Sequence, residues 1–161
     1  MSKIAFVFPG QGSQYVGMCK AFYDQYPIAR QLFEEADDAL GFSLTKMCFE
    51  GPEADLRLTY NTQPAILTAS TICGEILKQH GVNADSAAGH SLGEYSALVN
   101  AGAMKFADAV RIVRQRGQFM QEAVPVGEGS MSAVMGLAND KIVELCQKVE
   151  AETGLPVQAV N

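Results

Sequence analysis

The sequence predicts an α/β fold organised around a parallel sheet, and three observations carry that expectation. From Lys3 to Phe8 the chain is a continuous apolar run stopped by Pro9-Gly10, the pattern of a strand buried on both faces. A second strand of small residues, Ser86-Ala87-Ala88-Gly89, turns sharply through His90-Ser91-Leu92-Gly93-Glu94 into an apolar helix. Helical spacing dominates the residues between the two strands, as a crossover joining parallel strands requires.

The elements follow in order. Pro9-Gly10-Gln11-Gly12-Ser13-Gln14 is a glycine loop after the first strand. Met18 to Leu40 reads as one or two helices broken near Pro27, because proline disfavours helical geometry in the residue before it. Glu34, Glu35, Asp37 and Asp38 are expected on the wet face there. A long helix is expected from Asn61 to Gly81, with Gln63 and Pro64 in its first turn. Ile66, Ala69, Ile72, Cys73, Ile76 and Leu77 carry its helical spacing, and His80 caps or decorates its end. The helix after Ser91 runs to about Asn100, and another runs from Phe106 to about Glu122. Val124-Pro125-Val126-Gly127-Glu128-Gly129 has the composition of a linker. Beyond it Met131 to Leu137 reads as a strand, Asn139 to Glu152 as a helix capped by Asn139 or Asp140, and Pro156 to Asn161 as the start of a strand. Two regions are therefore expected, 1–125 and 126–161.

Composition narrows the function classes. With 161 residues, 48% of them hydrophobic, the chain can bury an ordinary core. No apolar run approaches the ~20 residues of a membrane span, so a soluble, cytoplasmic protein is expected. A net charge of −6, with 12 basic residues scattered among 18 acidic ones, speaks against nucleic acid. Cys19, Cys48, Cys73 and Cys146 form no Cys-x-x-Cys pair and have no histidine nearby, so no metal site is expected and the thiols read as buried or inert.

Chemistry concentrates in three places. Gly89-x-Ser91-x-Gly93 has the spacing of a nucleophile elbow, in which flanking glycines let strand and helix pack closely and expose the serine hydroxyl. The bland alternative is a serine that caps the next helix. At a helix N-terminus Leu92 N–H is placed to meet an oxyanion. If the two strands are parallel neighbours, the Gly10-Gln11-Gly12 loop leaves the same sheet edge and Gln11 N–H becomes the second donor; otherwise that loop is a plain tight turn. In the helix Phe106 to Glu122, Arg116 falls on the stripe of Ala109, Ile112, Val113, Phe119 and Met120, with Arg114 about 200° away. An inward guanidinium needs a carboxylate, either structural or from a substrate.

Pro9-Gly10-Gln11-Gly12-Ser13-Gln14, Asn61-Thr62-Gln63-Pro64-Ala65, Gly89-His90-Ser91-Leu92-Gly93-Glu94 and Arg114-Gln115-Arg116-Gly117 together resemble, in order and spacing, the malonyl-CoA:acyl-carrier-protein transacylases of fatty-acid synthesis. The resemblance implies an α/β-hydrolase-like subdomain interrupted by a small ferredoxin-like one, the latter beginning after the linker. It matches Ser91 to the acylated serine, Gln11 and Leu92 to the oxyanion amides, and Arg116 to the arginine that pairs with the malonyl carboxylate. Gln63 matches a pocket-lining glutamine, and His90, beside the nucleophile, is expected to support or pack rather than act as base.

The implied reaction is ping-pong transfer from malonyl-CoA to the phosphopantetheine thiol of acyl carrier protein, by a monomer and without metal or redox cofactor. In the family the serine is activated by a histidine from the C-terminal portion, whereas these residues hold only His80 and His90, so 1–161 alone is expected to transfer poorly and to fold incompletely. A serine esterase or thioesterase, a transferase for another extender unit, and a silent CoA- or carrier-binding fragment are the alternatives. For carrier docking a local basic patch is expected, with Arg111 and Arg114 on the solvent face of their helix.

Overall fold

In the computed structural model, which describes residues 3–125 and 127–160, strand β1 (Ala5–Phe8) pairs in parallel with β2 (Ser86–Gly89), Phe6 opposite Ala87 and Phe8 opposite Gly89. The expected two-sided burial of β1 is corrected. Phe6 and Phe8 face the core, while Val7 is 77% exposed. An apolar run states what a strand can bury; whether a second layer covers it depends on what packs there.

Between the strands come α1 (Lys20–Gln25), α2 (Pro27–Leu40), α3 (Leu44–Glu50), α4 (Glu53–Leu56) and α5 (Thr59–Gln79). The break between α1 and α2 is at Tyr26, held extended (φ −115°, ψ 122°) ahead of Pro27, as a residue before proline prefers. The short helices α3 and α4 have too few turns to show a periodicity. One of the acidic residues assigned to the wet face serves them instead: Asp37 accepts hydrogen bonds from Ser43 Oγ and from Thr45 N–H, each at 2.9 Å, and so ties the end of α2 to the start of α3.

Helix α5 begins at Thr59, earlier than expected, which moves Pro64 from the first turn into the interior. Proline has no N–H to give the carbonyl four residues back, so the Tyr60 carbonyl loses its helical partner. This helix is the centre of the larger unit. Ile66, Leu67 and Ile72 are fully or almost fully buried against Phe33, Leu44, Leu56, Val110 and Val113. Phe33 also stacks edge-on against Tyr23 and Phe49, with ring centroids 5.9 and 5.0 Å away. Each such side chain contributes about 1.5–3 kcal/mol by burial.

After β2, α6 (Gly93–Asn100) and α7 (Phe106–Ala123) complete this unit. The buried stripe of α7 is Phe106, Ala109, Val110, Val113 and Gly117. Ile112, Phe119 and Met120, assigned to the stripe from periodicity, are exposed (42%, 59% and 42%). The chain divides into two compact units, Met1–Val126 and Gly127–Asn161. The second is built around α8 (Asn139–Thr153). Its N-cap is Ala138, with no side-chain cap bond, rather than Asn139 or Asp140. Met131 to Leu137 and the described part of Pro156 to Asn161 are not strands; Asn161 lies outside the described residues. A strand needs a neighbour for its N–H and C=O groups, and the alternating apolar residues here remain open, Met131 at 80% and Met135 at 90% exposure.

Candidate active site

The parallel pairing of β1 and β2 sends the loop after Phe8 and the turn after Gly89 out of the same sheet edge, where open α/β sheets place their sites. Ser91 takes the left-handed conformation, φ +53°, which costs an L-residue roughly 1–2 kcal/mol. Its neighbours show why the turn needs glycine. A Cβ on Gly89 would lie 1.9 Å from the carbonyl carbon of Gly93, and one on Gly93 would lie 2.2 Å from the Phe8 carbonyl oxygen. The turn is clamped between β1 and the start of α6, with Ser91 immediately before the buried Leu92 at its N-cap.

Arg116 reaches this serine from α7. Its Nη2 donates to Ser91 Oγ at 3.0 Å and its Nη1 to Gln63 Oε1 at 2.8 Å. The guanidinium also sits 5.7 Å from the Tyr95 ring. Gln63 is fully buried and its amide nitrogen donates to Met120 Sδ at 3.3 Å, so the amide is held with its oxygen toward the arginine. Among the described residues no carboxylate forms an ion pair with Arg116. The charge is thus met only by neutral partners, beside the serine hydroxyl.

This placement depends on one close crossing. A Cβ on Gly117 would lie 2.5 Å from Tyr60 Cα and 2.9 Å from the Thr59 carbonyl oxygen, so α7 lies directly on the first turn of α5. Arg114 secures the crossing. It donates to the Tyr60 carbonyl at 2.9 Å, the group orphaned by Pro64, and to Asn61 Oδ1. It also lies over the rings of Phe42 and Tyr60, 4.9 and 4.6 Å from their centroids. Burial pulls its pKa below the usual arginine value. The expected solvent-facing placement of Arg114 is therefore corrected: Arg114 is half-buried and bonded to α5, while Arg111 is exposed and pairs with Asp108 at 3.3 Å. Long side chains bend back across a helix, which an angular projection does not register.

In the glycine loop Gln11 Nε2 donates to Thr59 Oγ1 at 3.2 Å and Ser13 Oγ to the Gly10 carbonyl at 3.2 Å. The backbone N–H groups of Gln11 and Leu92 donate to no acceptor among the described residues. His90 donates its N–H to the Phe8 carbonyl at 3.2 Å, and its ring stands against Gly10, where a Cβ would lie 2.9 Å from Nδ1. No hydrogen bond joins His90 to Ser91 Oγ among the described residues. His80 caps α5 and its Nε2 faces Tyr26 Oη at 3.4 Å. The sequence reading missed Gln63 as the arginine's partner and Arg114 as a fastening; the signal for the second was a proline inside a helix, which leaves a carbonyl in need of a donor.

The cysteines are not uniformly buried. Cys48 is buried and burial pushes its thiol up to about 12, but Cys73 is exposed and Cys19 half-buried. Among the described residues no cluster of three or more His, Cys, Asp or Glu is arranged to hold a metal, and no helix is long and apolar enough to cross a membrane.

A family model described as "Acyl transferase domain" matches residues 5–158. The malonyl CoA-acyl carrier protein transacylase of Bacillus subtilis (strain 168) is 54% identical over the whole chain and 50% of its own length. That of Escherichia coli (strain K12) is 51% identical over the whole chain and 52% of its own. Among solved structures, FabD from Acinetobacter baumannii matches with a TM-score of 0.88 at 52% identity, over 98% of this chain and 50% of that one. A type II PKS acyl-carrier protein in complex with its malonyl-transacylase matches with a TM-score of 0.87 at 45% identity, over 94% of this chain and 49% of that one. The chain spans about half the length of the relatives it matches.

Proposed function

The chain belongs to the acyl transferase domain family, and from that premise we propose that it carries the serine half of an acyltransferase moving malonyl groups from CoA to an acyl carrier protein. The single observation that carries the reading is Arg116, whose fork spans Ser91 Oγ and Gln63 Oε1 and which has no carboxylate partner among the described residues. A guanidinium so placed takes the free carboxylate of a dicarboxylic acyl group bound at Ser91, in the bidentate geometry that arginine favours. Gln63, locked by burial and by Met120, sets the plane of that fork.

The strained turn at Ser91 is read as a nucleophile elbow in an α/β-hydrolase-like subdomain, with Gly127 onward contributing to a ferredoxin-like one. Ser91 Oγ attacks the thioester carbonyl, and the tetrahedral oxyanion is met by the N–H groups of Gln11 and Leu92. CoA leaves as the thiol, and malonyl-Ser91 awaits a phosphopantetheine thiol that reverses the steps. Exchange of one thioester for another is nearly balanced, so the reading invokes no metal or redox cofactor. The protein is proposed to work in the cytoplasm as a monomer. Ser91 Oγ has Arg116, a donor, as its side-chain partner among the described residues; the base that takes its proton is proposed to come from outside residues 1–161, and these residues alone to acylate slowly.

Incubation of the chain with malonyl-CoA or acetyl-CoA, followed by mass spectrometry of the Ser91 peptide, tests this. The expected result is slow malonyl labelling that exceeds acetyl labelling, is absent from Ser91→Ala, and loses its preference in Arg116→Ala by about tenfold or more, as removal of a charged hydrogen bond implies. Equal labelling by the two thioesters refutes the role of Arg116. Release of free malonate without an adduct favours a thioesterase.

A further inference from the structure

The loop after β1 leaves the sheet at the same edge as the Ser91 turn, and its own bonds leave Gln11 loose. Ser13 Oγ donates to the Gly10 carbonyl at 3.2 Å and Gly12 N–H to Gln14 Oε1 at 2.9 Å, both inside the loop. On the serine side His90 backs Gly10, where a Cβ would lie 2.9 Å from both Nδ1 and the His90 carbonyl oxygen. Among the described residues, one hydrogen bond runs from Gly10–Gln14 to another element: Gln11 Nε2 donates to Thr59 Oγ1 at 3.2 Å. Gln11 is exposed, so packing does not fix it and this bond does. Thr59 is the first residue of α5, and the Leu58 N-cap before it makes no side-chain bond, so the Thr59 hydroxyl serves the loop. The same residue lies under α7, its carbonyl oxygen 2.9 Å from where a Cβ on Gly117 would stand.

From this geometry we propose that Thr59 is a positioning residue for the transfer: its hydroxyl holds Gln11 so that the free Gln11 N–H meets the oxyanion of the tetrahedral intermediate. This role, which rests on the acyl-transfer reading of Ser91, has a signature of its own. The oxyanion forms on the thioester carbonyl, which malonyl and acetyl groups share, whereas the carboxylate that Arg116 takes belongs to malonyl alone. A loosened Gln11 therefore slows both thioesters alike, while a displaced α7 changes the ratio between them. The charge on that oxygen develops only in the transition state, so the maximal rate falls and the half-saturating concentration stays.

The test follows Ser91 labelling of the full 161-residue chain by mass spectrometry at several concentrations of malonyl-CoA and of acetyl-CoA. Thr59→Val keeps the side-chain shape and removes the acceptor; Thr59→Ser keeps the hydroxyl; Gln11→Met keeps the backbone N–H and removes the donor. Thr59→Val is expected to lower the maximal rate about tenfold with both thioesters, part of the 10²–10³ that loss of an oxyanion donor costs. Half-saturation and the malonyl-over-acetyl ratio are expected to stay, and Thr59→Ser to label at the wild-type rate. Gln11→Met is expected to match Thr59→Val, and the double variant to be no slower than either, because both remove one bond. Gln11→Met decides the matter where Thr59→Val fails to fold. The proposal is overturned if either variant labels at the wild-type rate, if Thr59→Ser is as slow as Thr59→Val, if the two losses multiply, or if the ratio shifts with the rate. A wild-type chain that takes no label overturns the acyl-transfer reading itself, and the role of Thr59 in it.

Discussion

Arg114→Ala reads directly on how α7 is fastened to α5. The substitution removes the 2.9 Å hydrogen bond to the Tyr60 carbonyl, the bond to Asn61 Oδ1, and two cation–ring contacts at 4.9 and 4.6 Å. A hydrogen bond from a charged donor contributes about 1.5–3 kcal/mol and a partly exposed cation–ring contact about 0.5–1 kcal/mol. These contacts overlap in space, so a loss of about 3 kcal/mol is expected rather than their sum. The diagnostic part is the Tyr60 carbonyl, which Pro64 cannot serve for want of an N–H. Pro64→Ala restores that donor. Where Arg114 is present the new N–H meets a carbonyl already bonded; where it is absent the N–H takes over. The double variant is therefore expected to be about 1 kcal/mol more stable than the two single effects predict. Urea denaturation followed by tyrosine fluorescence is the assay, since Tyr15, Tyr23, Tyr26, Tyr60 and Tyr95 all lie in the first unit and the chain has no tryptophan. Additivity within about 0.5 kcal/mol refutes the orphan-carbonyl argument, and so does an Arg114→Ala cost below about 0.5 kcal/mol, the scale of an ordinary surface change.

Three further outcomes follow from the same geometry. Ser91→Gly, which relieves the left-handed strain at φ +53°, is expected to be about 1 kcal/mol more stable than Ser91→Ala in chemical denaturation; equal stability counts against stored strain at the turn. Gly117→Ala drives a methyl to 2.5 Å from Tyr60 Cα, backbone that cannot step aside, so a cost of about 1–3 kcal/mol and a reduced malonyl-over-acetyl labelling ratio are expected together. A variant unchanged in both melting and ratio shows that the helix crossing does not place Arg116. Alkylation of Cys73 by iodoacetamide, mapped by peptide, is expected to rise with pH through a midpoint near 7, because the thiolate fraction grows as pH passes a pKa lowered to about 7; a midpoint at the ordinary thiol value of about 8.5 refutes that lowering.

Close backbone approach is a constraint that a sequence states openly, because only glycine satisfies it. Gly89 and Gly93 around Ser91 were legible for that reason, and the structure finds backbone atoms about 2 Å from where their side chains would begin. Gly117 was legible as part of a motif but not as a crossing, since the atoms it admits belong to α5. Helical period placed Arg116 inward but put Ile112, Phe119 and Met120 inward with it, and these are exposed. Period measures how residues group around one helix; it does not say which arc of the group faces the neighbour.

The apolar run of β1 and the alternation at Met131 to Leu137 show the same division. Both declare surface that gains by burial, yet Val7 and Met135 stand open, because cover comes from other elements and not from the strand itself. By its own residues the sequence determined the two strands of the first unit and the long helices around them, the glycine-flanked serine, and the presence of a cation and a glutamine able to serve it. Only the tertiary structure decided that Gln63 and Ser91 share Arg116 and that Arg114 repairs the carbonyl Pro64 orphans. The physical reason is range: steric and conformational limits act within a few residues, whereas a hydrogen bond between distant side chains depends on where whole helices come to rest.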